Sequence, residues 1–398
     1  MTGSPARARL QLLLLLLAAL VGACGARSAP TPVPPGTPGA VPTSPTPVRP
    51  SAPAGSATST DGASSFRLPE GWRAITPDDP VFAEWFDAEL AASVREGQVW
   101  IVAIDEAGSD PVRPTFALLA RLEGTPYAAA AARAIVDRSI ASGNLAVVVS
   151  EVELPAGPAR RIRIDGAVPG ADGSPVPSRQ VIHVVRAGGA LMALAVQAIG
   201  RTPEVAEDAA EAIAASLVLP SVPGDVPDVP GHACGALIPL ADAVEASVAL
   251  ESLGADHAPA GAVAEYGHCP PTSGTHYAAT LLARLHGPTE PTVPQEWVHN
   301  LEHGEVVLLY SCGSQCEEVL DDLGAIARDA PPSPLCDNPA LVVTRYEDMP
   351  APFALAAWGR LRYLRSADAD IVAAFIRGHA DRGPEPQCAA AESASPAP

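Results

Sequence analysis

The stretch Trp297-Val298-His299-Asn300-Leu301-Glu302-His303-Gly304 places two imidazoles and a carboxylate within about one and a half turns of a predicted helix. His299 and His303 are four positions apart, so they share one helical face, and Glu302 lies one position aside. Gly304 is well placed to end the helix in a left-handed cap. We therefore take this octet as the candidate centre of any chemistry in the chain.

The segments around the octet predict an α+β domain over residues 233–390. Prolines and glycines make residues 254–277 irregular but stiff, and the alternation across 353–364 predicts one strand with a solvent-exposed side. The expected elements are a helical stretch at 236–252, the octet helix from Pro294, strands at 305–310, 340–346 and 353–364, and helices at 317–328 and 368–379.

Residues 65–220 predict a separate mixed α/β domain. The length of 398 residues favours two domains, since single cores stop growing near roughly 250 to 300 residues. Gly188-Gly189 between two apolar runs predicts a tight hairpin. The expected elements are helices at 80–94, from Thr125-Pro126 to Gly143 and from Thr202-Pro203 onward, and strands near 65, at 99–104, 116–122, 146–153, 160–164, 179–186 and 190–197.

Residues 1–24 are typical of a bacterial lipoprotein signal peptide. Arg7 and Arg9 precede an apolar run, and small residues lead to Cys24. We expect Cys24 to be lipidated as the first residue of the mature chain, so that it holds the protein on a membrane outside the cytoplasm, at the cell surface or in the periplasm. An uncleaved or ordinary secretory segment is the alternative.

Three further segments predict a tether, a linker and a tail. Residues 25–64 are rich in Pro, Ser and Thr and cannot bury enough apolar surface to offset their ordering entropy, so we expect a disordered tether. The prolines and glycines of residues 221–232 predict a linker, and 391–398 a disordered tail.

The charge and the cation content exclude several functions. The formal net charge is −20 and the isoelectric point is near 4.7, which repels phosphate backbones, so nucleic acid is not an expected partner. All 25 cationic side chains are arginines. Schiff-base and Ser-Lys mechanisms are therefore excluded.

Six cysteines follow the predicted linker and suggest up to three disulfides in an exported domain. A thiolate metal site is the weaker alternative, because the one close pair is separated by three residues rather than the usual two. Fifteen pairings are possible among the candidates, which are Cys234, Cys269, Cys312, Cys316, Cys336 and Cys388.

The octet histidines point to a divalent metal site. Two imidazoles at helical spacing can share one ion, either zinc or copper, with His276 completing the set and His257 as a further candidate. We expect Glu302 outside the ligand set, supporting it. An ion bound at about 2 Å requires ring nitrogens roughly 3 to 4 Å apart. A copper site built on thioethers is disfavoured by the scarcity of methionine.

Two other interpretations of the octet stay open. The pattern His-x-x-Glu-His matches the inverted zinc-protease motif, in which Glu302 would be the general base of a zinc-dependent hydrolase, although Gly304 ends the helix early. The histidines could also be purely structural, with His303 favoured by the helix dipole. The protein would then be a metal-free, disulfide-stabilised interaction module.

The second domain also resembles the bacterial family known as domain of unknown function 3105. The resemblance rests on four motifs in order: Pro-Pro-Thr-Ser-Gly-x-His-Tyr from residue 270, Val-His-Asn-Leu-Glu-His-Gly from 298, Ala-Trp-Gly-Arg-Leu from 357 and Arg-Gly-Pro-Glu from 382. The chain departs from the pattern at Thr275, where the family would have proline, and in its richer cysteine content. The resemblance implies no activity.

The first domain resembles the PsbP-like α/β/α sandwich of exported bacterial lipoproteins. The Phe-x-Leu-Pro-x-Gly-Trp start at residue 66, the late hairpin and the closing helix carry this resemblance. It implies binding or assembly without a recurrent catalytic set. We therefore expect a lipid-anchored binding or scaffold protein rather than an enzyme, whose partner is a protein or a small molecule.

Overall fold

The computed structural model divides the chain into two compact units, with the boundary between Val226 and Pro227. The boundary falls inside the segment interpreted above as a linker. The expected signal peptide with Cys24 and the tail at 391–398 lie outside the described residues. The structure describes residues 55–106, 115–122, 127–144, 146–169, 174–200, 204–244, 246–311, 316–335 and 340–386.

The first unit is built on a seven-stranded antiparallel sheet in the order β3-β4-β5-β9-β8-β7-β6. Its strands are β1 (Ser56–Thr58), β2 (Ser65–Arg67), β3 (Trp72–Ile75), β4 (Val99–Asp105), β5 (Phe116–Leu122), β6 (Ala146–Leu154), β7 (Gly157–Pro169), β8 (Pro175–Ala187) and β9 (Ala190–Ile199). Its helices are α1 (Pro80–Trp85), α2 (Ala88–Arg95), α3 (Ala128–Ala141) and α4 (Glu204–Ala214).

Helices cover both faces of this sheet, which makes the unit an α/β/α sandwich. Helices α1 to α3 pack on one face around Leu118 and Ile135, and α4 packs on the other around Leu194 and Ile213. The predicted Gly188-Gly189 turn joins β8 to β9, where Ala187 pairs with Ala190. The predicted sandwich is therefore confirmed.

Two predictions for the first unit are wrong in detail. The disordered tether was expected to reach residue 64, but β1 pairs with β2, and Ala57 lies in the core. The single helix expected at 80–94 is two helices, because Asp87 leaves the helical conformation to accept a hydrogen bond from the Leu90 N–H and cap α2.

The expected linker also differs from the structure. Gly188 pairs with Val222, and the Val226 N–H donates to the Gly188 carbonyl at 3.0 Å. The first part of 221–232 therefore packs on the first unit rather than spanning free space.

The second unit is built on a five-stranded mixed sheet in the order β11-β18-β17-β15-β16. Its strands are β10 (His232–Cys234), β11 (Val248–Ala249), β12 (His257–Ala258), β13 (Ala264–Tyr266), β14 (His276–Tyr277), β15 (Val306–Tyr310), β16 (Leu341–Arg345), β17 (Phe353–Ala357) and β18 (Arg360–Leu364). Its helices are α5 (Leu240–Ala243), α6 (Pro294–Glu302), α7 (Cys316–Asp329) and α8 (Ala369–His379).

This sheet also has a helix layer on each face. Trp297 and Leu301 of α6 pack against one face, together with Tyr363. Leu323 of α7 and Phe375 of α8 pack against the other. The predicted α+β class is confirmed, and α6 is placed between the sheet and the loops that precede it.

Two predictions for the second unit are wrong. The single strand expected at 353–364 is a hairpin, because Gly359 adopts a φ of +64° and turns the chain between β17 and β18. The helix expected at 236–252 shrinks to α5, because Ile238 instead donates its N–H to the Cys269 carbonyl and Val248 pairs with Leu361. Among the described residues, no helix is long and apolar enough to cross a membrane.

Candidate metal centre

The candidate site is built on α6, all nine residues of which are buried. Pro294 begins the helix, where its missing N–H has no helical partner to lose. Gly304 follows the helix with a φ of +92°, and a Cβ there would lie 2.7 Å from the Asp381 Cα. Because the helix is covered on every side, its polar side chains must find partners inside the protein.

A pair of two-residue strands brings two more histidines to α6. Strand β12 runs parallel to β14, which places His257 directly opposite His276. The His276 N–H donates to the Asp256 carbonyl at 3.0 Å, and the Gly274 N–H donates to the Gly254 carbonyl at 2.8 Å. The irregular segment before the octet is thus held in one register by backbone hydrogen bonds.

Three imidazoles converge on one carboxylate oxygen. Oε2 of Glu302 lies 3.0 Å from Nε2 of His276, 3.8 Å from Nε2 of His299 and 3.9 Å from Nε2 of His257. The four groups offer metal-ligating atoms that all lie within 4.8 Å of one another. The ring centroids of the three histidines are 4.6 to 5.1 Å apart.

The protonation of His276 is fixed by its second hydrogen bond. Its Nδ1 lies 2.8 Å from the Gly274 carbonyl oxygen, which can only accept, so Nδ1 carries a proton. Nε2 then faces the Glu302 carboxylate, which also only accepts. This contact is satisfied by a proton shared between the two groups or by a cation that both of them bind. A backbone carbonyl on the outer ring nitrogen is typical of metal-binding histidines.

Burial makes His299 a poor base. Desolvation, together with the neighbouring rings of His303, His276 and His257, lowers the pKa of His299 to about 4. At neutral pH its imidazole is therefore uncharged, which is the form that binds a metal ion.

The distances suit a tetrahedral ion after a small contraction. Zinc bonds of about 2.0 to 2.1 Å place tetrahedral ligand atoms about 3.3 Å apart. The His276–Glu302 distance is slightly shorter than this, and the distances from Glu302 to His299 and to His257 are about half an ångström longer. The four residues present thus fit a divalent ion in number and donor type, and an ion would draw their ligating atoms, which all lie within 4.8 Å of one another, closer together.

The structure places two octet residues differently from the expected ligand set. Glu302, which we expected outside the ligand set, points its carboxylate at the three rings. His303 lies beside His299, with tilted rings whose centroids are 4.4 Å apart, and its Nδ1 donates to the Glu385 carbonyl at 2.9 Å. Among the described residues, His303 is not one of the four side chains whose ligating atoms all lie within 4.8 Å of one another.

A C-terminal strap, which we define as residues 381–385, holds the end of α6. The Asp381 N–H donates to the Gly304 carbonyl at 2.7 Å, and the Glu385 N–H donates to the Glu302 carbonyl at 3.1 Å. Gly383 lies so close that an added Cβ would come within 2.0 Å of the Glu302 carbonyl oxygen. The strap contains the Arg-Gly-Pro-Glu motif, the signal through which this role could have been found.

Asn300 fixes the opposite side of α6. Its side chain donates to the Leu281 carbonyl at 2.8 Å and accepts from the Leu281 N–H at 2.9 Å. It also donates to the Glu305 carboxylate at 2.7 Å. Asn300 stands inside the octet, yet sequence reasoning gave it no role, because an asparagine that orients a helix carries no spacing signal of its own.

The loop that carries His276 is anchored by a disulfide between Cys234 and Cys269, whose Cα atoms are 5.9 Å apart. Cys269 is fully buried, and its N–H donates to the Ala236 carbonyl at 2.8 Å. The other four disulfide candidates, which are Cys312, Cys316, Cys336 and Cys388, are not described at their side chains.

A family model described as "Protein of unknown function (DUF3105)" matches residues 257–392. The match covers most of the second unit, and it confirms the resemblance that the four motifs indicated. All four residues that converge in the site lie inside the matched range. No curated protein matches the chain.

Several solved structures share part of the chain's arrangement. LpqN of Mycobacterium tuberculosis, involved in cell envelope biogenesis, matches at 16% identity over 44% of this chain and 88% of its own, with a TM-score of 0.27. A cyanobacterial PsbP from Synechocystis sp. matches at 11% identity over 41% and 91%, with a TM-score of 0.25. The Saccharomyces cerevisiae Ran-binding protein Mog1p matches at 14% identity over 42% and 84%, with a TM-score of 0.24. Similarity at this level carries no functional conclusion.

Proposed function

We propose that the second unit is a metal-binding module in which His257, His276, His299 and Glu302 hold one divalent transition-metal ion. The observation that carries the proposal is the convergence of three Nε2 atoms on Glu302 Oε2, at 3.0, 3.8 and 3.9 Å. An isolated buried carboxylate is costly, and a divalent cation compensates its charge.

Zinc is the ion that the donor set favours. Three imidazoles and one carboxylate form a nitrogen- and oxygen-donor set of tetrahedral size, which suits zinc. Copper(II) also takes imidazole ligands, although it prefers a tetragonal arrangement. No thiolate belongs to the cluster of described residues, so soft ions such as copper(I) are disfavoured.

The module is proposed to work outside the cytoplasmic membrane, anchored through a lipid on Cys24. The lipoprotein-like start of the chain supports this location. The Cys234–Cys269 disulfide supports it independently, because such bonds persist in oxidising compartments. The anchored protein would then present a metal site to the envelope or to the medium.

Binding is favoured over hydrolysis by the position of Glu302. In an inverted zinc-protease motif, the glutamate stands beside the ligands and activates a metal-bound water. Here its Oε2 lies among the ring nitrogens, which supports a role as a ligand. A chelator-sensitive hydrolysis of peptides, esters or amides that disappears in Glu302→Gln would instead favour the enzyme.

Metal analysis of the full chain tests the proposal. We expect about one equivalent of zinc in the wild type and a loss of it in a variant carrying both His276→Ala and His299→Ala. The matched control is His303→Ala, which removes the adjacent imidazole from the same helix and should keep the metal. Equal, sub-stoichiometric metal in the wild type and the double variant would overturn the proposal and favour the metal-free interaction module.

A further inference from the structure

The four proposed ligands differ sharply in exposure. The side chains of His276, Glu302 and His299 are 0%, 2% and 8% exposed, whereas that of His257 is 48% exposed. Three ligands therefore belong to the interior, and only one forms part of the surface.

The segment that carries His257 is also exposed to solvent. Residues 254–257 are all exposed, and β12 contributes only two residues to a two-stranded pairing with β14. His276 and Glu302, in contrast, are each held by further hydrogen bonds, from the His276 ring to Gly274 and from the strap to the Glu302 backbone. An outward rotation of the His257 side chain therefore disturbs no packed core.

From this asymmetry we propose that His257 is the exchangeable ligand, and that its coordination position is open to an external imidazole donor such as a histidine of a partner protein. The inference rests on the proposed metal site, and it adds that the ion enters and leaves the site on the side of His257. Replacing His257 by an incoming imidazole preserves the donor set, the charge and the three buried bonds, so the ion can be handed over one ligand at a time.

Chemical rescue with imidazole tests this inference. The full chain is loaded with Co²⁺, whose visible absorption reports the geometry of its ligands, and His257→Gly is compared with His276→Gly. We expect both variants to lose the wild-type spectrum. Added imidazole should restore it in His257→Gly, where the vacated position faces solvent, and fail to restore it in His276→Gly, where the position is enclosed.

Further outcomes have distinct meanings. Failure of imidazole to restore the spectrum in His257→Gly, or equal restoration in both variants, would overturn the assignment of His257 as the exchangeable ligand. A wild type that binds no Co²⁺ would overturn the metal site itself. Circular dichroism verifies that the variants are folded, and His257→Ala provides a second variant. In that variant the ion should pass to an added chelator faster than from the wild type.

Discussion

Nε2 of His276 lies 3.0 Å from Oε2 of Glu302, although 26 positions separate the two residues in the chain. The contact joins the loop that follows the disulfide to the last turn of α6. Both side chains are buried, so neither can exchange its partner for water. The pair is therefore a buried contact between the loop and the helix, in addition to the bonds of Asn300 to Leu281.

Replacement of Glu302 by glutamine should weaken metal binding strongly. The amide keeps the shape of the side chain but removes the negative charge that faces three imidazoles. We expect an affinity loss of more than about tenfold, since even residues that only orient metal ligands contribute about 10- to 100-fold. Competition with a chromophoric chelator measures it. Glu385→Gln is the matched control, because the bonds of Glu385 to this region in the described part of the chain come from its backbone.

Replacement of Gly383 by alanine should destabilise the second unit. The new Cβ would meet the Glu302 carbonyl oxygen at 2.0 Å, so the strap must move away from α6. We expect a loss of about 1 to 3 kcal/mol in the free energy of unfolding and weaker metal binding. Gly378→Ala in α8 is the control, because nothing lies within 4 Å of its Cβ. That variant should be stabilised by about 0.4 to 1 kcal/mol. Equal effects of the two substitutions in urea unfolding would contradict the role of the strap.

The first unit should lose stability as the pH falls from about 7 to about 5. Burial, assisted by the nearby Arg161, lowers the pKa of His183 to about 4, so the unfolded chain takes up the proton first. The unfolding free energy should drop by about 2 kcal/mol over this range and keep falling until the pH reaches about 4. Carboxyls with a lowered pKa, such as Asp79 and Glu207, lose their contribution only below about pH 4.5.

Urea unfolding of the wild type and of His183→Gln at the two pH values measures this effect. The glutamine variant cannot take up the proton, so most of the pH dependence between 7 and 5 should vanish. A variant with the same slope as the wild type would show that another group titrates.

Removal of the Cys234–Cys269 disulfide should weaken both stability and metal binding. The bond closes a loop over a separation of 35 residues, which corresponds to about 4 kcal/mol of restricted unfolded-state entropy. It also anchors the segment that leads to His276. A variant with serine at both positions should unfold at lower urea and bind zinc more weakly. Unchanged zinc affinity in the folded variant would mean that the backbone bonds of β12 and β14 suffice.

The octet helix could be predicted because its signals are local. Pro294 and Gly304 mark its two ends, and the spacing of His299 and His303 marks its face. Which neighbour would join His299 could not be predicted. Around the helix axis, Glu302 lies about 60° to one side of His299, and His303 lies about 40° to the other side. Glu302 joins His299 because the pairing of β12 with β14 brings His257 and His276 to Glu302, and this pairing is a tertiary property.

Other wrong predictions also concern features that tertiary contacts determine. Alternation of apolar side chains continues through both β17 and β18, so the pattern does not reveal the turn at Gly359. Strand β1 consists of small residues without an apolar pattern, and only its partner β2 makes it a strand. The second unit's α8 was predicted closely, because Asp368 caps it and its apolar residues recur at helical spacing.

The parallel register of β12 and β14 limits where residues can be inserted into the domain or deleted from it. A shift of β12 by one residue would turn His257 to the opposite face and leave Asp256 or Ala258 opposite His276. Insertions are tolerable in the exposed turn at 259–260, where no side chain of the site is displaced. A one-residue deletion inside β12, whose two residues lie outside the buried core, would remove or displace the imidazole of His257, and so would separate folding from metal binding in a single genetic step.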